Sequence, residues 1–205
     1  MLDHAGFDLW ANDYDKSVGL SDERNEYPFA GYKSILNSIY RFAMQRDCPT
    51  ILDIGFGTGT LTEKLFERGC KIYGQDFSER MLRIAAAKMP GACLYAGDFS
   101  SGLCAQLRRR QYDLVIATYS LHHLSDAKKR ELLASMLPLL HAGGVILIGD
   151  IAFSTRAQLE ACREHAGEEW DEDENYFVYE EWKPLFPKLR FEEHSFCAGV
   201  LMLEP

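Results

Sequence analysis

The sequence lacks any hydrophobic run long enough to cross a membrane. A transmembrane helix needs about 20 consecutive apolar residues, and no stretch of this chain approaches that length. The first residues also lack the apolar core of a secretory signal, because Asp3 and His4 interrupt it. We therefore expect a cytoplasmic protein that does not bind a membrane.

The sequence also lacks the paired cysteine spacing of a zinc site or a disulfide framework. None of its cysteines forms a C-x-x-C pair, and they are widely separated: Cys48, Cys70, Cys93, Cys104, Cys162 and Cys197. Several lie in apolar segments, where cysteine behaves as a small hydrophobic residue. We predict reduced thiols and no metal site.

An excess of positive charge is missing as well. The chain has 22 lysines and arginines against 31 aspartates and glutamates, which gives a net charge of −9. Affinity for nucleic acid depends on neutralising phosphates, so we predict no nucleic-acid partner. The only tight basic cluster, at 108–110, is typical of the solvated end of a helix.

The most informative segment that is present runs from Ile51 to Leu61. Apolar residues lead to Asp53, and three glycines follow at alternate positions, namely Gly55, Gly57 and Gly59. A helical pattern begins directly afterwards. This order predicts a buried strand, a tight turn and a helix N-terminus. Because glycine lets a ligand lie against the main chain, the turn is predicted to hold a small molecule.

The same turn is a poor match to the known phosphate-binding patterns. The dinucleotide fingerprint G-x-G-x-x-G would place its last glycine at position 60, which is Thr60. The Lys-Ser/Thr of a P-loop is absent. Asp53 would repel a pyrophosphate, but it suits the ammonium group of S-adenosylmethionine. An NAD-dependent oxidoreductase on a related sheet is the alternative.

Two further acids follow predicted strands. Asp76 comes 21 residues after Gly55 and can bind both hydroxyls of a ribose. Asp98 could accept the adenine amino group, while Phe99 covers a face of the ring. Each acid alone could equally cap a helix. Since the carboxyl ends of parallel strands meet at one edge of a sheet, all three are expected to converge there.

These segments together resemble the class I S-adenosylmethionine-dependent methyltransferases, including small bacterial members. The matching motifs are Ile51–Leu61, Tyr73–Met81, Gly97–Phe99, Tyr112–Leu124 and Leu137–Ile148, and Phe7–Asp15 resembles a "W-A-x-x-Y-D" opening. The resemblance implies an α/β fold, a Rossmann-like seven-stranded mostly parallel sheet with helices on both faces and an N-terminal helical cap. It also implies that the last strand is antiparallel and lies beside the fifth.

The resemblance implies roles for individual residues in binding the cofactor S-adenosyl-L-methionine. Asp53 and the glycine turn would hold the methionine portion, and Asp76 the ribose. Phe77 and Met81 would flank the adenine, with Asp98 and Phe99 completing its pocket. Thr118 and Tyr119 would make contacts near the sulfur. Tyr14 and Tyr32 would close over the cofactor, since aromatic faces attract the sulfonium, although these two tyrosines could instead be ordinary core aromatics.

Methyl transfer is an in-line displacement, so the protein mainly positions a small-molecule acceptor. A base is needed only where the acceptor must lose a proton. His122 and His123, which follow the fourth strand, are the candidates for catalysis; either could instead pack or cap the next helix. The N-P-P-Y motif of nucleobase methylation is missing at this point. A non-catalytic S-adenosylmethionine binder is a further alternative, because the motifs indicate binding and not turnover.

The pattern of apolar residues predicts one domain over residues 1–205, with a cap at 1–48 and a core at 49–205. Two cap helices are expected, over residues 7–14 and 32–40. Predicted core strands are 50–54, 71–75, 93–96, 114–118, 145–149, 189–196 and 200–203. Predicted core helices are 60–68, 78–88, 103–109, 127–140, 155–166 and 179–186. The run Glu168–Glu174 carries six carboxylates and is interpreted as an exposed loop, or alternatively as a lid that selects cationic substrates.

Overall fold

The computed structural model describes residues 26–205. Its centre is a sheet in the order β3-β2-β1-β4-β5-β8-β7, with a two-residue strand β6 beside β5. The strands are β1 (Thr50–Ile54), β2 (Lys71–Asp76), β3 (Cys93–Ala96), β4 (Tyr112–Thr118), β5 (Leu140–Phe153), β6 (Phe177–Val178), β7 (Arg190–Glu193) and β8 (Ala198–Leu203). The helices are α1 (Tyr32–Ala43), α2 (Thr60–Glu67), α3 (Glu79–Lys88), α4 (Asp126–Met136), α5 (Arg156–Ala166) and α6 (Tyr179–Trp182).

The pairing of the strands confirms the predicted sheet. Strands β1 to β5 pair in parallel, and the last strand, β8, lies antiparallel between β5 and β7. Successive residues of β1 enter different cores: Ile51 packs in one hydrophobic cluster with Leu65 of α2, and Leu52 in the other with Leu132 of α4. The strand is therefore buried on both faces, as its continuous apolar sequence requires.

One predicted helix is wrong. Residues 103–109 form only a short 3-10 turn at Leu107–Arg109, and side chains from neighbouring strands bind backbone groups of this segment. The Gln75 side chain accepts from Cys104 N at 2.8 Å and donates to Gly102 O at 3.1 Å. The Tyr112 hydroxyl donates to Leu107 O at 2.9 Å.

Other boundaries shift for local reasons. Helix α4 ends at Met136 and not at 140, since Pro138 has no N–H to continue the ladder. Strand β5 begins five residues earlier than predicted, at Leu140. Helix α6 and strand β7 are shorter than predicted.

Helix α1 packs directly on the sheet. A Cβ built on Gly149 of β5 would lie 2.3 Å from Ile35 Cγ2 and 3.0 Å from Ile39 Cδ1, so the missing side chain lets α1 approach the strand. This is the second predicted cap helix. The first, with the opening motif and Tyr14, lies outside the described residues. Within residues 26–205, no helix has the length and apolar character needed to span a membrane.

Candidate active site

The glycine turn joins β1 to α2 at the carboxyl edge of the sheet. Gly55 has a positive φ of 70°, and a Cβ there would lie 2.4 Å from Ser120 Cβ. Ser120 follows β4, and its hydroxyl donates to Ile54 O at 2.8 Å. Gly55 therefore lets the loops after two adjacent strands touch.

Gly57 and Gly59 differ in what surrounds them. A Cβ on Gly57 (φ 55°) would meet only Met81 Sδ within 4 Å, at 3.6 Å, and the residue lines the cavity described below. A Cβ on Gly59 would lie 3.1 Å from Met89 Cε, so this glycine packs α2 against the end of α3. Gly57 leaves space for a ligand, whereas Gly59 serves packing.

Asp76, at the end of β2, holds the glycine turn in place. Its Oδ2 accepts from Gly57 N and its Oδ1 accepts from Ser78 N, both at 2.8 Å. The residue is only 3% exposed, yet it lines the cavity. A carboxylate offers about four lone-pair sites, and this one lies at the cavity wall beside the glycine turn.

Asp53 lies behind the turn and does not line the cavity. The Thr62 hydroxyl of α2 donates to its Oδ2, while its buried Oδ1 has no hydrogen-bond partner. Burial, with a smaller effect of the nearby Asp76 charge, raises the pKa of this carboxyl to about 7. A substantial neutral fraction at neutral pH follows.

A cavity that is partly open to solvent lies in front of the turn. It brings together most of the predicted residues: Gly55, Gly57, Asp76, Phe77, Met81, Phe99, Thr118, Tyr119 and His123, with Tyr32 of α1. Among the described residues, its lining includes no lysine or arginine.

Asp53, Gly59, Asp98 and His122 do not line the cavity. Asp98 caps the 3-10 turn that begins at Phe99: its two carboxylate oxygens accept from Ser100 N and Ser100 Oγ, each at 2.7 Å. The capping alternative therefore describes its present contacts.

Tyr119 forms one wall of the cavity. It has a positive φ of 49°, which is uncommon for a bulky residue. Its ring centroid lies 5.1 Å from that of Tyr32 and 5.4 Å from that of Phe29. The tip of β4 and the segment around α1 thus supply an aromatic surface, of the kind that attracts cations.

His122 is buried and paired with an acid that the sequence analysis did not single out. Its Nδ1 lies 2.5 Å from Asp150 Oδ1, and Asp150 Oδ2 accepts from Leu121 N at 3.1 Å. Burial lowers the pKa of His122, but the Asp150 carboxylate outweighs burial and the pKa is raised. The pKa of Asp150 is lowered, because His122 and Lys129 outweigh its burial.

His123 is the histidine that reaches the cavity. Its ring centroid lies 4.1 Å from that of His122. Burial and the neighbouring His122 lower the pKa of His123 to about 3. His123 is therefore neutral at physiological pH and would be a weak base.

Glu174 approaches both histidines and was not predicted. Its Oε1 lies 3.5 Å from His122 Nε2 and 3.7 Å from His123 Nδ1. Its side chain is 18% exposed, whereas the other five acids of the run 168–174 are exposed. The exposed-loop interpretation thus holds for those five and is wrong for Glu174. Asp150 could have been found, since an acid near a strand end was the signal that marked Asp53 and Asp76.

Known proteins are similar to this chain in sequence and in fold. A family model described as a methyltransferase domain matches residues 52–146. A Geobacillus kaustophilus protein named as an uncharacterized methyltransferase is 40% identical over 161 residues, or 78% of this chain and 72% of that protein. An Anoxybacillus flavithermus protein of the same description is 33% identical over 194 residues, or 94% and 88%.

The fold has solved counterparts. The structure of a DhpI complex with SAH aligns with a TM-score of 0.71 at 17% identity, and the match covers 98% of this chain and 94% of that one. At 17% identity this match shows only that the folds are alike. The family is shown by the two bacterial relatives, which are 40% and 33% identical. The resemblance in the motifs is confirmed: the chain belongs to the class I S-adenosylmethionine-dependent methyltransferases.

Proposed function

We propose that the chain transfers a methyl group from S-adenosylmethionine to a small-molecule acceptor held in the cavity beside the glycine turn. The observation that carries this proposal is the bond from Gly57 N to Asp76 Oδ2 at 2.8 Å. It joins the glycine turn to a carboxylate in one cavity, whose lining residues within 26–205 include no lysine or arginine to neutralise a pyrophosphate.

The residues of the cavity suit the parts of this cofactor. Asp76 would accept from the ribose hydroxyls, and Phe77, Met81 and Phe99 would offer apolar faces to the adenine. The space in front of Gly57 would receive the methionine portion. Asp53 would act from behind the turn through its negative charge, and Asp98 from the rim of the adenine pocket.

The acceptor side rests on positioning. When bound, S-adenosylmethionine supplies an activated methyl group that an acceptor lone pair takes by in-line displacement. Tyr32 and Tyr119 would face the cationic sulfonium, and alignment of this kind contributes several kcal/mol to catalysis. His123, at the cavity wall, would orient the acceptor. The net charge of −9 favours a small molecule over a nucleic acid, whose binding depends on neutralising phosphates.

Calorimetric titration tests the cofactor assignment. We expect the protein to bind S-adenosylhomocysteine and to show no binding of NADH. Gly57→Ala should weaken binding more than tenfold, because the added methyl group would enter the ligand space. Gly143→Ala is the matched control: its φ of 78° is also positive, but nothing lies within 4 Å of its Cβ, so it should bind normally.

Asp76→Asn should also weaken binding more than tenfold. Its control is Asp113→Asn, which changes another carboxylate that accepts from a backbone N–H, that of Thr50 at 2.7 Å. Binding of NADH in place of S-adenosylhomocysteine would overturn the proposal in favour of an oxidoreductase.

Turnover requires a second measurement. Methyl-labelled S-adenosylmethionine incubated with the protein and a small-molecule cell extract should yield a labelled low-molecular-weight product. Absence of labelled product from a protein that binds the cofactor would indicate a non-catalytic binder. Label found only in protein or RNA would overturn the small-molecule assignment.

A further inference from the structure

Three nitrogen and oxygen donors converge at one edge of the cavity. They are His122 Nε2, His123 Nδ1 and a carboxylate oxygen of Glu174, and they all lie within 4.8 Å of one another. The histidines come from the turn after β4, and the glutamate comes from the segment between α5 and β6. Elements far apart in the sequence thus bring together two imidazoles and a carboxylate.

The spacing is that of ligands around a small cation. Zinc–nitrogen and zinc–oxygen bonds of about 2.0–2.1 Å in a tetrahedron separate neighbouring ligand atoms by about 3.4 Å. The Glu174 oxygen lies 3.5 Å from one imidazole nitrogen and 3.7 Å from the other. Two edges of such a tetrahedron are nearly in place, and the three ligand atoms lie within 4.8 Å of one another.

The groups behind these donors have the arrangement found around metal ligands. A metal-binding histidine usually donates its other ring N–H to a carboxylate, which fixes the tautomer and the ring orientation. Asp150 Oδ1 is this partner for His122 Nδ1, at 2.5 Å, and it also accepts from Ile151 N at 2.9 Å. The lone pair of a neutral His122 is then on Nε2, the atom that approaches Glu174.

The carboxylate is oriented in the same way. Glu174 Oε2 accepts from the Tyr176 hydroxyl at 2.8 Å, which leaves Oε1 directed at the histidines. Ligating carboxylates are commonly held by such hydrogen bonds. Asn175, the next residue, donates its N–H to His122 O at 2.8 Å and so joins the glutamate segment to the histidine turn.

We infer that His122, His123 and Glu174 form a binding site for a first-row divalent transition metal such as Zn²⁺, with Asp150 as the positioning residue. Two imidazoles and one carboxylate suit zinc, cobalt or iron, whereas calcium and magnesium prefer oxygen ligands alone. The cysteine spacing predicts no metal site. It contains no information about two histidines that the fold brings next to an acid far away in the sequence.

The site would be accessible from the cavity through His123. His123 is 25% exposed and lines the cavity, and Glu174 is 18% exposed. Residues 26–205 supply three ligands, and an ion bound by these alone would keep at least one coordination position open, as in catalytic zinc sites. An oxygen or nitrogen donor of a bound acceptor could fill that position.

Calorimetric titration of the reduced, metal-stripped full chain with Zn²⁺ tests the inference without cofactor or substrate. We expect one equivalent to bind. Glu174→Gln and His123→Gln should each weaken this binding at least tenfold, and Asp150→Asn should weaken it about 10–100-fold, as loss of a ligand's hydrogen-bond partner typically does. Glu169→Gln and His141→Gln, which change exposed residues of the same types, should bind Zn²⁺ like the wild type.

Titration with Co²⁺ distinguishes this site from the cysteines. The visible bands of tetrahedral cobalt should saturate at one equivalent without a sulfur-to-cobalt charge-transfer band, and Glu174→Gln should remove them. Far-ultraviolet circular dichroism must show each variant folded. No stoichiometric binding by the wild type, a sulfur band, or unchanged affinity in folded Glu174→Gln and His123→Gln would overturn the inference. In that event a protonated His122 would simply bridge Asp150 and Glu174.

Discussion

Gly55 offers the sharpest test of the geometry, because its effect can be separated from ordinary backbone strain. Gly55 and Gly143 have similar positive φ values, 70° and 78°. Alanine at either position would have to adopt the left-handed backbone conformation, which destabilises an L-residue by about 1–2 kcal/mol. Around Gly143 a Cβ would meet nothing within 4 Å, so Gly143→Ala should cost about this amount and no more.

Gly55→Ala should cost considerably more. Its Cβ would lie 2.4 Å from Ser120 Cβ and 3.3 Å from Phe99 Cε1. Ser120 Cβ is attached to the backbone and cannot rotate away, so the loop after β4 must move. Overpacking typically costs about 1–3 kcal/mol, and displacement of the 2.8 Å bond from Ser120 Oγ to Ile54 O about 1 kcal/mol more. We expect Gly55→Ala to be less stable than Gly143→Ala by about 2–4 kcal/mol.

Urea denaturation of the cofactor-free variants, followed by far-ultraviolet circular dichroism, measures this difference. The slopes against urea should agree, so that the midpoints report stability. Ser120→Gly provides the control, since it removes the Cβ that overlaps. The double variant Gly55→Ala/Ser120→Gly should regain part of the loss, with a coupling of about 1–3 kcal/mol. Equal stability of Gly55→Ala and Gly143→Ala, or additive effects in the double variant, would refute the proposed contact.

Two further predictions concern buried charges. The pKa of Asp53 is raised from 3.8 to about 7, so between these two values the folded protein keeps a proton on Asp53 that the unfolded chain releases. The free energy of unfolding therefore falls as the pH rises from 3.8 to about 7, by about 4 kcal/mol at most. Urea denaturation between pH 4 and 8 should show this fall in the wild type and not in Asp53→Asn. The same dependence of stability on pH in both proteins would contradict the prediction. Lys129, fully buried, donates to Asn175 O and to Asp126 Oδ1. Lys129→Met should lower the free energy of unfolding by about 1–3 kcal/mol, and an unchanged urea midpoint would contradict this.

The parts of the fold that could be predicted are those defined by local sequence. Strands β1 and β3 have the predicted bounds because an apolar run ends at a glycine or an acid in each case. The segment 103–109 shows where such reasoning fails. Its backbone groups are bound by Gln75 and Tyr112, and the bonds from Gln75 span almost thirty residues. Helical periodicity contains no information about them.

The candidate site divides in the same way. Gly57, Asp76, Phe99 and Tyr119 were found because each follows a strand, and parallel strands place their carboxyl ends together. Glu174 does not follow a strand, and it lies in a run of acids that is otherwise exposed. Only the folded chain shows that this one carboxylate is turned inward.

The two halves of the cavity therefore depend on different kinds of information. The cofactor half is fixed by short motifs and by the register of adjacent strands, in which the end of β2 holds the turn after β1 through Asp76 and Gly57. The acceptor half is fixed by contacts between distant segments, such as Asn175 N with His122 O. Substitutions among the acids at 168–173 can change the surface of that half without disturbing the cofactor turn. For this reason short motifs specify the glycine turn clearly, whereas the other side of the cavity depends on the position of a few side chains, among them His123.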